Sequence, residues 1–224
     1  SYVWMDRFTM KNLELFNSNS INGFNLSDTI DETITSMGSR KLKSWIAFPL
    51  IDKKEIKKRQ EIVQSIMSDD EISRLLDINL NNISDIERLM SKIATYKISP
   101  RELVNLKSSL ENVDLIKDSL LVYSGVLKNY GKSLPNSKST IAAISKTLKD
   151  DSPVSILKGD FIKDGFSKEL DSLREIRSSG KEYLNQILER ETKKTNIPSL
   201  KISFNNVFGY YIEVRNTHKD NVPE

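Results

Sequence analysis

The chain has 224 residues, of which 38 % are apolar and 29 % charged, a helix-leaning composition that is not a disordered one. Its 34 Lys and Arg against 31 Asp and Glu leave a net charge of +3, which argues neither for nor against a nucleic-acid partner. With no cysteine and one histidine, His218, the sequence excludes disulfides, thiolate or His-rich metal sites and a Cys nucleophile, and leaves little room for a Ser-His-Asp triad. No apolar run approaches the ~18 residues of a membrane span, and the opening SYVWMDRF has no signal-peptide core. A reducing, cytoplasmic compartment fits this composition. The chain starts without Met and stops in mid-pattern, as an excised fragment would.

Along the chain, Thr35-Ser-Met-Gly-Ser leads into Leu42, Trp45 and Ile46, predicting a helix that stops before Pro49. Asp52 with Glu55, Ser84 with Glu87 and Ser99 with Glu102 read as capping boxes or close variants, and Pro100 suits a first helical position. Behind them, Ile56, Val63, Ile66 and Met67 share one face, as do Ile86, Leu89, Met90 and Ile93. Leu103, Leu106, Leu110, Val113 and Leu120 form a third stripe. Pro135 and Pro153 bracket a further helix around Ile141, Ile144 and Leu148, and residues 150–166 read as a loop or joint.

A long helix is then expected from Ser167 to Lys194, with the stripe Leu170, Leu173, Ile176, Leu184, Ile187 and Leu188. About 28 residues at 1.5 Å each give roughly 42 Å. Gly180, near its middle, is expected to mark close packing or a bend, at a cost of about 1 kcal/mol relative to Ala. Beyond Pro198 the period changes to two: Leu200 to Phe204 and Tyr210 to Val214 alternate, predicting two strands of a hairpin. The expected fold is mainly α: a multi-helix core bundle (1–166), one long projecting helix (167–197), and a small β-hairpin at its tip (198–224).

Catalytic chemistry is missing from the pattern. The eight glycines form neither a P-loop nor a G-x-G-x-x-G, and a single His precludes H-E-x-x-H. Asp69-Asp70 and Asp150-Asp151 sit where turns and helix starts are expected and read as solvated caps. Two cationic features remain. The window 40–59 nets +6 while the remainder of the chain nets −3, either a phosphate-contacting patch or a solvated helix face. No aromatic interleaving points to base stacking. Arg215, Asn216, Thr217, His218 and Lys219 form a polar loop after the second strand, with side chains suited to phosphate oxygens. The segment 199–224 carries no net charge, so electrostatics alone does not single it out.

Several blocks resemble the bacterial MutS mismatch-repair family. Phe204-Asn-Asn-Val-Phe-Gly-Tyr-Tyr-Ile-Glu-Val214, ending in Asn-Val-Pro-Glu224, is similar to the start of that family's clamp. Thr35 to Leu50 is similar to the opening of its helical core. Asp85 to Ile93 with Ser99 to Leu103, Asp164 to Arg174, and Met5 to Leu15 are further matching blocks, in the family's order. The resemblance implies the core, or lever, domain plus the first strands of the clamp. It implies a non-enzymatic part of a homodimeric, DNA-encircling ATPase, whose mismatch-reading and P-loop domains lie elsewhere. No cofactor is then expected here; ATP and Mg belong to the missing domain.

The implied partners are the other MutS domains and the duplex DNA backbone, touched without sequence preference by Arg215, Asn216, Thr217, His218 and Lys219. Affinity in isolation should be weak or undetectable. Phe204, Tyr210, Ile212 and Val214 are expected to pack, and Arg40 and Trp45 to be structural, at a domain joint. A helical protein–protein scaffold with the hairpin as its docking edge is the alternative.

Overall fold

The computed structural model describes residues 2–222 and is mainly α-helical. The chain divides into two compact units, Ser1–Lys163 and Asp164–Glu224.

The first unit holds α1 (Arg7–Asn12), α2 (Leu26–Ile30), α3 (Ser36–Ala47), α4 (Lys53–Met67), α5 (Asp70–Asn81), α6 (Ile86–Ala94), α7 (Pro100–Val122), α8 (Gly125–Ser133) and α9 (Lys138–Thr147). Short polar residues start most of these helices by accepting orphan first-turn N–H groups. Thr35 accepts from Gly38, Asp52 from Lys54, and Asp69 from Glu71 and Ile72. Ser99 forms a full capping box: its hydroxyl accepts from the Glu102 N–H at 3.3 Å while Glu102 accepts from the Ser99 N–H at 3.0 Å. The start expected at Ser84 falls one residue later. Asp85 caps α6 by accepting from Arg88, and the Ser84 N–H instead donates to Ser109 Oγ at 3.0 Å.

The centre of this unit is α7, which packs against α5, α6, α8 and α9. Ile72, Ile116, Leu120 and Leu127 form the buried cluster, surrounded by Ile62, Ile66, Leu75, Leu76, Leu80, Ile83, Tyr123 and Leu134. In α4 the core face is therefore Ile62 and Ile66. Val63 and Met67, expected on it, are exposed, because packing selected the neighbouring row of the helix. The α7–α8 contact is close enough that a Cβ on Gly131 would stand 2.9 Å from Leu120 Cβ. The stretch after α9 is a loop, held by the Lys149 N–H on Phe161 O (2.9 Å), the Lys163 N–H on Thr147 O (2.8 Å) and Arg101 Nε on Ser152 O (3.1 Å).

The second unit is built on α10 (Lys168–Thr195), an unbroken helix of 28 residues. Ser167 caps it by accepting from Leu170, and Asp171 accepts from the Gly165 N–H at 2.8 Å while pairing with Arg174 at 3.3 Å. Arg174 also reaches Asp164 at 2.6 Å. The helix ends at Asn196, whose left-handed φ of 53° and the Pro198 beyond it prevent continuation. β1 (Lys201–Asn205) and β2 (Gly209–Glu213) pair antiparallel, with Lys201 opposite Glu213 and Phe204 opposite Tyr210. Gly209, at φ 74°, provides the left-handed turn residue, and Asn205 Oδ1 accepts from the Val207 N–H at 2.7 Å.

β1 packs on α10, and Tyr210 shares a groove with Ile176, Gly180, Tyr183 and Leu184. Ile197 and Leu200 are buried. The space where Gly180 would carry a Cβ is open, so this glycine marks no close approach among the described residues.

Candidate nucleic-acid interface

The alternation in the hairpin sorts its side chains onto two faces. Ile202, Phe204, Tyr210 and Ile212 share one face, and Lys201, Ser203, Tyr211 and Glu213 the other. Phe204 and Tyr210 stack as a tilted pair with ring centroids 5.0 Å apart, yet both remain exposed. On the polar face the Tyr211 hydroxyl donates to Glu213 Oε1 at 3.1 Å, which raises the phenol's pKa above its ordinary value.

The five residues expected to meet a phosphate backbone follow β2 directly. Arg215 is extended (φ −68°, ψ 144°), and a short 3₁₀ segment, Asn216–Asn221, begins after it. The His218 N–H donates to Arg215 O at 2.9 Å, closing a tight turn that displays the loop. Arg215, Asn216, Thr217 and Lys219 are exposed and His218 is half-buried. Neither Arg215 nor Lys219 is joined in an ion pair among the described residues. These two cations, unpaired among the described residues, stand beside an amide and a hydroxyl and can donate to anionic oxygens, and no base-stacking aromatic belongs to the loop itself. Pro223 and Glu224, part of the sequence block that carries the resemblance, lie outside the described residues.

The basic window resolves into used and unused charges. Arg40 forms a fork on Asp85 (2.7 and 2.9 Å) and also contacts Glu87 (2.6 and 2.9 Å), tying α3 to the start of α6. The hydrogen bonds from Arg40 hold the Asp85 carboxyl below the usual carboxylate range, while its carboxylate partners push the guanidinium's pKa upward. The Arg59 guanidinium lies 3.8 Å over the Trp45 ring, bracing α4 against α3. Lys41, Lys43, Lys53, Lys54, Lys57 and Lys58 are exposed. Arg40 and Trp45 are thus structural, as expected, and their contacts lie inside the first unit.

The paired carboxylates are also structural. Asp69 is pulled below its ordinary pKa first by the Ile72 N–H and then by the Tyr123 hydroxyl, which donates to Oδ2 at 2.9 Å. Asp150 pairs with Lys107 at 2.6 Å. Among the described residues no cluster of three or more His, Cys, Asp or Glu could hold a metal, and no helix is long and apolar enough to cross a membrane.

The fold so built is a mainly α module in which the longest helix leads into a hairpin and a cationic loop. The family model described as MutS domain III matches residues 8–202, and the chain belongs to that family. Over 224 residues it is 50 % identical to the DNA mismatch repair protein MutS of Christiangramia forsetii. Over 225 residues it is 51 % identical to that of Flavobacterium johnsoniae, and over 224 residues 46 % identical to that of Bacteroides thetaiotaomicron. Each alignment covers 100 % of this chain and 26 % of the relative, so the chain spans about a quarter of the length of the curated relatives it matches. The family match ends inside β1; the loop from Arg215 to Lys219 is covered only by the full-chain alignments.

Proposed function

We propose that this chain is the lever segment and the opening strands of the clamp of a DNA mismatch-repair protein. It is a non-catalytic part that passes ATP-linked movement from other domains to a tip resting on the duplex backbone. The observation that carries this reading is α10: 28 residues without a break, capped at both ends, leading directly into the hairpin and its exposed cations. A helix of that length has every interior N–H bonded to the carbonyl four residues back, so a displacement at one end is delivered roughly 42 Å away rather than dissipated as in a loop. The loop after β2 then supplies Arg215 and Lys219 as point charges, with Asn216, Thr217 and His218 as shorter donors, for phosphate oxygens and not for base edges.

In this reading the segment itself holds no cofactor. ATP and Mg are bound, and mismatches read, by other domains of a cytoplasmic homodimer that encircles the duplex. The names of its relatives and the identity along the whole chain support the mismatch-repair part of this reading.

The test is the salt dependence of duplex binding by the full-length protein. Arg215→Ala with Lys219→Ala should flatten the slope of log K against log salt by about one unit per lost phosphate contact. An unchanged slope removes the tip from the interface. The isolated segment, with few contacts to offer, is expected to bind duplex weakly or undetectably; tight, mismatch-selective binding by it alone would contradict the proposal.

A further inference from the structure

Asn22 is the one asparagine of the chain that is followed by glycine. The pair lies in the connection between α1 and α2, where Ile21, Asn22, Gly23 and Phe24 are all exposed. From Phe16 to Phe24 one backbone–backbone hydrogen bond is made among the described residues, by the Gly23 N–H to Ser20 O at 3.1 Å. A stretch with so few backbone bonds opens at small cost. The Asn22 amide makes no hydrogen bond among the described residues. Gly23 is fixed by its surroundings: a Cβ there would stand 2.0 Å from Ser18 Oγ and 3.1 Å from the Cβ atoms of Ser18 and Ser20. The turn therefore keeps beside Asn22 an amide nitrogen with no side chain of its own to shield it.

Two comparable positions are held. Asn25 is buried, with its Nδ2 donating to Asp28 Oδ2 at 2.7 Å and its Oδ1 accepting from the Asp28 N–H at 2.8 Å. At Asp164-Gly165, the one Asp-Gly pair, the carboxylate is tied to Arg174 at 2.6 Å and the Gly165 N–H donates to Asp171 at 2.8 Å.

We propose that Asn22 is a site of spontaneous deamidation in the folded protein, converted through a succinimide to aspartate and isoaspartate. The deprotonated Gly23 nitrogen attacks Asn22 Cγ. A new N–C bond forms, the bond from Cγ to the side-chain nitrogen breaks, and that nitrogen leaves as ammonia after taking a proton from water. Water then opens the ring. Opening at Cγ gives aspartate; opening at the main-chain carbonyl gives isoaspartate, with one more methylene in the backbone. No reactant besides water is consumed, and either product lowers the net charge of +3 by one. The inference stands apart from the mismatch-repair reading.

The experiment ages the full-length protein in native buffer at mildly alkaline pH and follows the tryptic peptide 12–40 by mass spectrometry. Methyl uptake by an isoaspartyl carboxyl methyltransferase is the second readout. The expected result is the amide-to-carboxyl mass shift at Asn22 and none at Asn25, with methyl uptake by the same peptide. Asn22→Gln, which keeps an exposed amide but must close a larger ring, should keep its melting temperature and lose both signals. An Asn22 that stays an amide in native buffer overturns the proposal. Conversion seen only in urea overturns it equally, because the folded turn then protects the bond, as does a mass shift at Asn17 or Asn19 with Asn22 intact.

Discussion

Arg40 and Asp85, 45 residues apart, meet in a two-point ion pair of 2.7 and 2.9 Å that fastens α3 to the cap of α6. Asp85 simultaneously accepts the Arg88 N–H at 3.1 Å, so one carboxylate both starts a helix and holds its neighbour. Because Arg40 lowers the Asp85 pKa in the folded state, the linkage has a definite sign. Its stabilisation is complete above the unfolded value of about 3.9 and is lost as pH falls through the lower folded value. Arg40→Gln is expected to lower the melting temperature at neutral pH. The gap to the unmodified chain should narrow as the pH falls from about 4 through the lower folded value, where Asp85 of the unmodified chain takes up its proton. Thermal melts at a series of pH values check this; a constant gap would contradict it.

Two glycines should respond oppositely to alanine. At Gly131 the new Cβ would stand 2.9 Å from Leu120 Cβ and 3.3 Å from Lys117 O, neither of which is a flexible side-chain end. Gly131→Ala is expected to destabilise the first unit by about 1–3 kcal/mol despite alanine's better helix propensity. Gly180 faces open space, and Gly180→Ala is expected to stabilise α10 by up to about 1 kcal/mol. Denaturant unfolding, followed by probes in each unit, measures both.

The Ser99 capping box should carry a measurable share of the stability of α7. Ser99→Ala removes the acceptor for the Glu102 N–H and is expected to cost about 1 kcal/mol, whereas Ser99→Asp should largely preserve it. Leu120→Ala, in the buried cluster at 3 % exposure, is expected to cost about 2–5 kcal/mol by leaving a cavity between α7 and α8. Urea titrations of the two variants should rank them in that order.

Much of this architecture is legible in the sequence, because its signals are local. Asp52 and Ser99 cap helices where their spacing places them, the long helix begins at Ser167 as expected, and the change to period two gives both strands. What escapes is decided by contacts distant in sequence. Ser84 is read as the cap from its spacing to Glu87, but its N–H donates to Ser109 Oγ, 25 residues on, and Asp85 caps α6 instead. The start of α8 has no side-chain capping bond at all and opens on Gly125 at φ 62°. The roles of Arg40 and Arg59 depend on partners 47 and 14 positions away at most, which window charge cannot separate from free lysines. For the loop from Arg215 to Lys219, sequence supplies the residue types, and the structure adds their exposure.

The account depends on α10 moving as one stiff rod, and the absence of native cysteines makes that directly measurable. Spin labels at Lys168→Cys and Lys194→Cys, both exposed, span 26 residues and should give a single narrow distance near 39 Å in the full-length protein. That distance is predicted to stay unchanged when ATP and duplex DNA are added. Shortening, or a split into two populations, would contradict the rigid lever on which the proposed function rests.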